Sequence, residues 1–213
     1  MHLTIFDLDK TLLKVNISFK FYYYLYKKGL YKKHLIFYPI IIFFRFKYFN
    51  LSLKSLHKIF FKKFLKNKNY AEITRYIDAF LDKYLDKIFY LPAVKRLQKA
   101  INDKHYVVLL SSSPEFLVKP IADILKINNY KTTVYGVDGR GNFNKIQFIM
   151  DGRQKAICAK ELLEKLNISN KEMTVYSDSI EDIDLFLLAG KKVAVRPCKK
   201  LSKISIDQAW EII

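Results

Sequence analysis

The chain has 213 residues, 51% of them hydrophobic and 27% charged. That balance excludes a disordered or fibrous chain and suits one domain, or a core with an inserted subdomain. The formal net charge of +18, from 38 Lys and Arg against 20 Asp and Glu, favours an anionic partner: a phosphorylated metabolite, a nucleic acid or an acidic membrane surface. AT-rich coding alone gives the same Lys-, Ile-, Asn-, Tyr- and Phe-rich mixture with no selected function.

The N-terminus, Met1-His2-Leu3-Thr4-Ile5-Phe6-Asp7, has no basic leader and meets an acid at once, so no secretory signal is expected. Leu3 to Phe6 reads as a short buried strand ending in Asp7. From Lys14 to about Tyr90 aromatic and aliphatic residues recur at helical spacing among lysines, and no acid occurs before Glu72. Helices are expected around Phe19–Tyr26, stopped at Gly29, and near Lys33–Phe49, Ser52–Lys66 and Tyr70–Phe89. The longest apolar run, Leu35 to Phe44, contains Pro39 and is shorter than the roughly 20 residues a spanning helix needs.

From Pro92 onward strands and helices alternate. A helix over Ala93–Asn102 leads to an apolar strand, Val107–Leu110. Ser113 reads as the cap of the next helix, with Pro114 at its first position. A β segment, Thr132–Val137, precedes a turn at Asp138–Asn142 that suits a hairpin. A helix from about Arg153 to Leu166, a strand at Thr174–Tyr176, a helix at Asp182–Ala189 and a strand at Lys192–Val195 complete the pattern. Such alternation predicts an α/β fold: a three-layer, Rossmann-like parallel sheet with an all-helical subdomain inserted after the first strand. The division is residues 1–13 and 91–213 for the core and 14–90 for the insertion. Cys158 and Cys198 form no metal-ligand pattern, which suits a reducing, cytoplasmic setting. His2, His34, His57 and His105 are scattered, and none is assigned a catalytic role.

Four groups stand out. Asp7-Leu8-Asp9-Lys10-Thr11 follows the first strand, Ser111 follows the second apolar strand, Lys155 lies in a helix's first turn, and Asp178 and Asp182 follow the strand at 174–176. Ligands of open parallel sheets bind outside the carboxyl ends of the strands, so these groups are expected to meet in one crevice. Two carboxylates spaced i, i+2 at a strand end suit attack on phosphorus by one and proton transfer by the other. A third completes an oxygen site for Mg2+. A lysine and a hydroxyl stabilise phosphoryl oxygens.

With these motifs the chain resembles the haloacid dehalogenase-like superfamily. DLDKT at 7–11 matches its first motif, VVLLS at 107–111 its second, Lys155 its third and SDSIED at 177–182 its fourth. SSSPE at 111–115 and YSDSIED at 176–182 look most like the phosphoserine-phosphatase-like branch, whose helical cap lies between motifs one and two. The resemblance implies an Mg2+-dependent phosphatase working through an aspartyl-phosphate. Asp7 is then the nucleophile and Asp9 the acid and base. The Asp7 carboxylate, the Asp9 carbonyl and Asp178 hold Mg2+. Ser111 and the Ser112 amide meet the phosphoryl oxygens, and Lys155 neutralises the Asp7–phosphate pair. Asp182 supports the site and Thr11 orients its loop.

The expected substrate is a small phosphorylated metabolite or lipid headgroup. Asn16 stands where phosphoserine phosphatases carry an acid for the substrate ammonium, so it is a candidate substrate contact that disfavours phosphoserine. Fourteen Lys and Arg lie between Lys14 and Lys68 with no acid among them. One reading lays this basic, aromatic insertion on the anionic inner face of a membrane, as a peripheral contact. The other packs the aromatics inward and leaves the lysines to solvent. A nucleic-acid-binding module is the alternative of a different class, but no nucleic-acid motif appears and arginine is scarce in the insertion.

Overall fold

A computed structural model describes residues 1–32, 37 and 51–213. Seven strands form one sheet in the order β4-β3-β2-β1-β5-β6-β7. They are β1 (Leu3–Phe6), β2 (Tyr106–Pro114), β3 (Asn129–Val137), β4 (Phe143–Phe148), β5 (Met173–Ser177), β6 (Lys191–Ala194) and β7 (Glu211–Ile212). Strand β1 pairs in parallel with β2 on one side and β5 on the other. The chain therefore leaves the centre in both directions, which opens a crevice at the carboxyl end of β1. All neighbours are parallel except β3 and β4, an antiparallel edge pair joined through the expected turn at 138–142. The sheet is thus mixed rather than wholly parallel, because a five-residue turn reverses the chain where a crossover helix would otherwise be needed.

The pleat sorts β1 between two cores. Leu3 and Ile5 pack with Ala159, Leu163 and Phe186, from helices α7 (Gly152–Leu166) and α8 (Ile183–Leu188). Phe6 points the other way and packs with Leu97 of α5 (Leu91–Asn102) and with Leu117 and Ile121 of α6 (Glu115–Ile124). That second core runs on without a break into the insertion. There α1 (Ile17–Lys27), α2 (Leu53–Phe60), α3 (Tyr70–Thr74) and α4 (Ile77–Ile88) are the described α-helices, with a wider π-helical turn at Phe61–Leu65 after α2. Phe80 is fully buried, with Phe21 at 5.1 Å and Tyr24 at 5.4 Å between ring centroids. Removing such a ring from water contributes about 1.5–3 kcal/mol.

Two backbone seams join the insertion to the sheet. At the first, Leu13 bridges Phe89, Lys14 N–H donates to Ile88 C=O at 2.6 Å, and Tyr90 N–H donates to Leu12 C=O at 2.8 Å. At the second, Tyr70 N–H donates to Gly141 C=O at 2.8 Å, Asn67 N–H to Phe143 C=O at 2.9 Å and Phe143 N–H to Lys68 C=O at 2.9 Å.

Several local expectations change. The helix expected over 70–89 breaks at Arg75-Tyr76 into α3 and α4. Pro92 lies in the first turn of α5, where its missing N–H costs nothing, rather than before the helix. Strand β2 continues through Pro114, so Pro114 and not Ser113 caps α6. The chain closes with α9 (Lys199–Asp207) and β7, which the alternation had not predicted. The helix expected at Lys33–Phe49 and the apolar run Leu35–Phe44 lie outside the described residues, apart from Phe37.

Candidate active site

The carboxyl ends of β1, β2 and β5 meet at a cavity of about 180 Å3. Asp7 leaves β1 with its N–H bonded to Tyr176 C=O at 2.9 Å, which fixes it beside β5. The next residues make one wide turn closed by Leu13 N–H on Leu8 C=O at 3.0 Å. Within that turn Asp9 is extended (φ −70°, ψ 124°) and Lys10 is left-handed (φ 60°). The break turns the Asp9 side chain back into the cavity.

Both Asp9 oxygens are held. Ile17 N–H, at the start of α1, donates to Oδ1 at 2.6 Å, and Ser113 Oγ donates to Oδ2 at 2.5 Å. Ser18 Oγ lies 2.8 Å from Ser113 Oγ. A chain of polar contacts thus runs from the insertion through β2 to Asp9. Burial raises the Asp9 carboxyl above its ordinary value, against these two donors.

Lys155 reaches the crevice from the first turn of α7, whose N-terminus is capped by Asp151 accepting from Gln154 N–H at 2.9 Å. The helix comes in close because residue 152 is glycine: a Cβ there would lie 1.7 Å from Glu181 C=O. Lys155 Nζ donates to Asp7 Oδ1 at 2.7 Å and to Asp182 Oδ2 at 2.8 Å, and all three side chains are buried. Ser177 Oγ donates to the same Asp182 oxygen at 2.6 Å. Burial alone would depress the Lys155 ammonium, but Asp182 and Asp7 outweigh it and hold it above its usual range.

The carboxylates outnumber the buried cation. Burial pushes Asp7 up to about 8; Lys155 opposes the rise, while Asp182, Asp178 and Asp9 add to it. Burial likewise pushes Asp178 up to about 6, against the nearby Lys10. Such crowding favours a bound cation. Among the described residues, no three His, Cys, Asp or Glu side chains form a ready-made metal-binding group. The available donors are therefore the Asp7 and Asp178 carboxylates and a backbone carbonyl, with water filling the rest. This hard, sparse oxygen set fits Mg2+.

The sequence-selected residues fall in distinct places. Asp7, Asp9, Lys155, Asp178 and Asp182 line one cavity, together with Asn16 and Ser112. Ser111 lies beneath its wall, fully buried, with its Oγ accepting from Ser113 N–H at 3.1 Å. Asn16 lines the cavity, but its carbonyl oxygen already caps α1 through Phe19 N–H at 3.0 Å, which limits it as a substrate contact. The Thr11 hydroxyl is buried without a hydrogen bond, so no bond from it orients the loop.

The motifs had not singled out Ser113, Ser177, Gly152, His57 or Tyr135. Ser177 stands inside the SDSIED stretch and was within reach of sequence reading. Ser113 stands inside SSSPE and reads there only as a helix cap; the partners of the others lie tens of residues away, and nothing local marks them. His57, on α2, bonds through Nδ1 to Tyr135 Oη of β3 at 2.7 Å, and both line the cavity.

Residues 4–187 match the haloacid dehalogenase-like hydrolase family. A phosphoserine phosphatase of Mycobacterium tuberculosis is 28% identical over 152 residues, 70% of this chain, and the chain spans about half that relative's length (49%). A histidinol-phosphatase of Neisseria meningitidis is 27% identical over 225 residues, covering 100% of this chain and 98% of the relative. Among solved structures, a Bordetella pertussis protein of unknown function superposes with a TM-score of 0.87 at 17% identity, covering 99% of this chain and 97% of the other. A substrate-bound phosphoserine phosphatase gives 0.69 at 17% identity, covering 95% and 89%.

Proposed function

The chain belongs to the haloacid dehalogenase-like hydrolase family, and on that premise we propose that it is an Mg2+-dependent phosphomonoesterase acting on a small phosphorylated substrate. One observation carries the reading: the buried Lys155 pairs with Asp7 at 2.7 Å at the carboxyl end of the central strand, with Asp9 and Asp178 in the same cavity. Relatives named as phosphatases, one of them covered almost end to end, support it.

In this reading an Asp7 carboxylate oxygen attacks phosphorus. The P–O bond to the leaving alcohol breaks, and an aspartyl-phosphate forms. Asp9, whose burial favours the protonated form, gives its proton to the departing alkoxide. It then takes a proton from water, whose oxygen displaces Asp7 and releases inorganic phosphate. Lys155 balances the charge on Asp7 and the phosphoryl group, and the Ser112 amide, on the cavity wall, meets a phosphoryl oxygen. The Asp7 and Asp178 carboxylates and the Asp9 carbonyl would hold Mg2+, which when bound neutralises charge as phosphoryl transfer proceeds. Residues 14–90 form the cap that covers the site and shapes the substrate pocket, while the core carries the chemistry.

The test is Mg2+-dependent phosphate release from an aryl phosphate, comparing the protein with Asp7→Asn. The substitution should remove turnover by a factor of about 10³ or more while preserving the fold. Retained turnover would overturn the assignment of the nucleophile.

A further inference from the structure

The cavity has two chemically different ends. Its charged side chains come from the core and its loops: Asp7, Asp9, Lys10, Lys155, Asp178, Asp182 and the rim residue Glu181. Lys10 acts on Asp9 and Asp178, so its charge belongs to the acidic end. The wall supplied by the insertion differs. Among the described residues it consists of Phe19, Leu53, Leu56 and Phe60, with Asn16, Ser18 and His57, and Pro114 and Met150 continue it from the core.

The polar groups on that wall are neutral and several are already paired, although the Asn16 amide nitrogen keeps its donors. The Asn16 oxygen caps α1, and Ser18 Oγ is paired with Ser113. His57 Nδ1 is paired with Tyr135 Oη. The other His57 ring nitrogen has no hydrogen bond to a described residue, and His57 lines the cavity. Burial lowers the imidazole to about 4 and raises the Tyr135 phenol, so both stay neutral near pH 7. Ser18, Phe60 and Pro114 also border a second space of about 20 Å3, whose other walls are aromatic or aliphatic.

Phosphoserine would bring an ammonium and a carboxylate to this wall, and histidinol phosphate an ammonium. A charge moved from water against the described part of this wall, which holds no charged side chain, is strongly disfavoured. An aromatic or aliphatic group is favoured there, by about 25 cal/mol for each Å2 removed from water. We propose that the substrate is the phosphomonoester of an uncharged, mainly apolar alcohol, and that His57, braced by Tyr135, reads one neutral polar group on it. This rests on the phosphomonoesterase reading for the position of the phosphate. His57 is a specificity-determining residue in this scheme and takes no part in phosphoryl transfer.

The experiment measures binding and turnover separately. Binding of non-hydrolysable phosphonates in the presence of Mg2+ is followed by calorimetry: benzylphosphonate, its 4-hydroxymethyl derivative, 2-aminoethylphosphonate, 3-phosphonopropionate and 2-amino-3-phosphonopropionate. Hydrolysis of benzyl phosphate is followed in parallel. Both benzyl compounds should bind at least tenfold more tightly than the three charged ones, and the hydroxymethyl compound more tightly than its parent. His57→Phe should erase the second preference and keep the first. Leu56→Arg, at a half-buried wall position, should raise affinity for 3-phosphonopropionate relative to benzylphosphonate about tenfold, and it serves as the check where His57→Phe fails to fold. Equal or tighter binding of the charged compounds, or no response to Leu56→Arg, would overturn the proposal. Apolar preference in binding without hydrolysis would overturn the phosphatase reading alone. Hydrolysis with a preference for charged compounds would overturn this inference alone, and binding of none of them would remove both.

Discussion

Lys155 is the buried cation around which the acidic end of the site is balanced, and the carboxylates around it outnumber it. Asp7 sits at about 8 and Asp178 at about 6 because burial resists their ionisation and neighbouring carboxylates add to the resistance. Both folded values lie above the unfolded value of about 4. The folded protein therefore holds more protons than the unfolded chain between these limits. The stability they contribute is complete below about pH 4 and is lost as pH rises through 6 and then 8. His57 acts in the opposite sense: its folded value of about 4 lies below the unfolded 6.5, so its contribution is complete above pH 6.5 and lost as pH falls. The two effects oppose each other below pH 6.5, and above it Asp7 dominates. In chelator, thermal stability should fall between pH 6.5 and 8.5 with a slope of at most about 1.4 kcal/mol per pH unit. Asp7→Asn should flatten the slope, and Mg2+ should raise stability more at pH 8.5 than at pH 6.5. A pH-independent unfolding temperature in chelator would contradict the charge balance described here.

At the scale of elements, the site depends on how closely α7 approaches the loop after β5. Gly152 sets that approach, since any Cβ there would collide with the Glu181 carbonyl, and backbone cannot swing aside as a side chain can. Gly152→Ala should push the start of α7 outward and weaken the Lys155 bonds to Asp7 and Asp182. A stability loss of about 2–4 kcal/mol and a fall in turnover of at least tenfold are expected, read by denaturant unfolding and phosphate release. A variant with unchanged stability would show that α7 tolerates the shift. The same contact marks the limit of sequence reading. Asp7 and Asp9, and Asp178 and Asp182, could be placed at strand ends because each pair follows its own apolar run, and Lys155 because it follows a helix start. Gly152 lies just before the helix expected from about Arg153 and carried no reading of its own, since its reason for being glycine lies 29 residues away, at 181. Ser113 resembled a cap by local rules, but a tertiary bond to Asp9 overrode them and β2 ran on through it. The antiparallel β4 was half visible, as the turn before it but not as the strand itself. His57 gave no local signal, because its partner Tyr135 lies on a strand 78 residues away.

At the scale of the whole molecule, the surplus of +18 is unevenly spread, and the insertion carries much of it. Where described, the insertion's aromatics mostly face inward: Phe21, Tyr22, Tyr24, Tyr31, Phe61, Phe64 and Phe80 are buried. Lys27, Lys28 and Lys32 are exposed beside them, with Lys27 Nζ 4.7 Å from the centre of the exposed Tyr23 ring. No helix among the described residues is long and apolar enough to cross a membrane. Among the described residues of the insertion only Tyr23, Phe37 and Tyr70 are large exposed apolar side chains, so contact with an anionic bilayer through these lysines would be electrostatic and shallow. Binding to vesicles rich in anionic lipid should then appear at low salt and fade by 0.5 M, where the screening length falls to a few ångströms. Replacing Lys27, Lys28 and Lys32 together by Gln should lower partitioning at low salt by tenfold or more, since each cation near such a surface contributes about 1 kcal/mol. Turnover of a soluble aryl phosphate should be unchanged, because none of the three lines the cavity. Partitioning equal to that of the parent protein would assign these lysines to solubility alone. Binding that persists at 0.5 M salt would instead require an apolar anchor elsewhere in the chain.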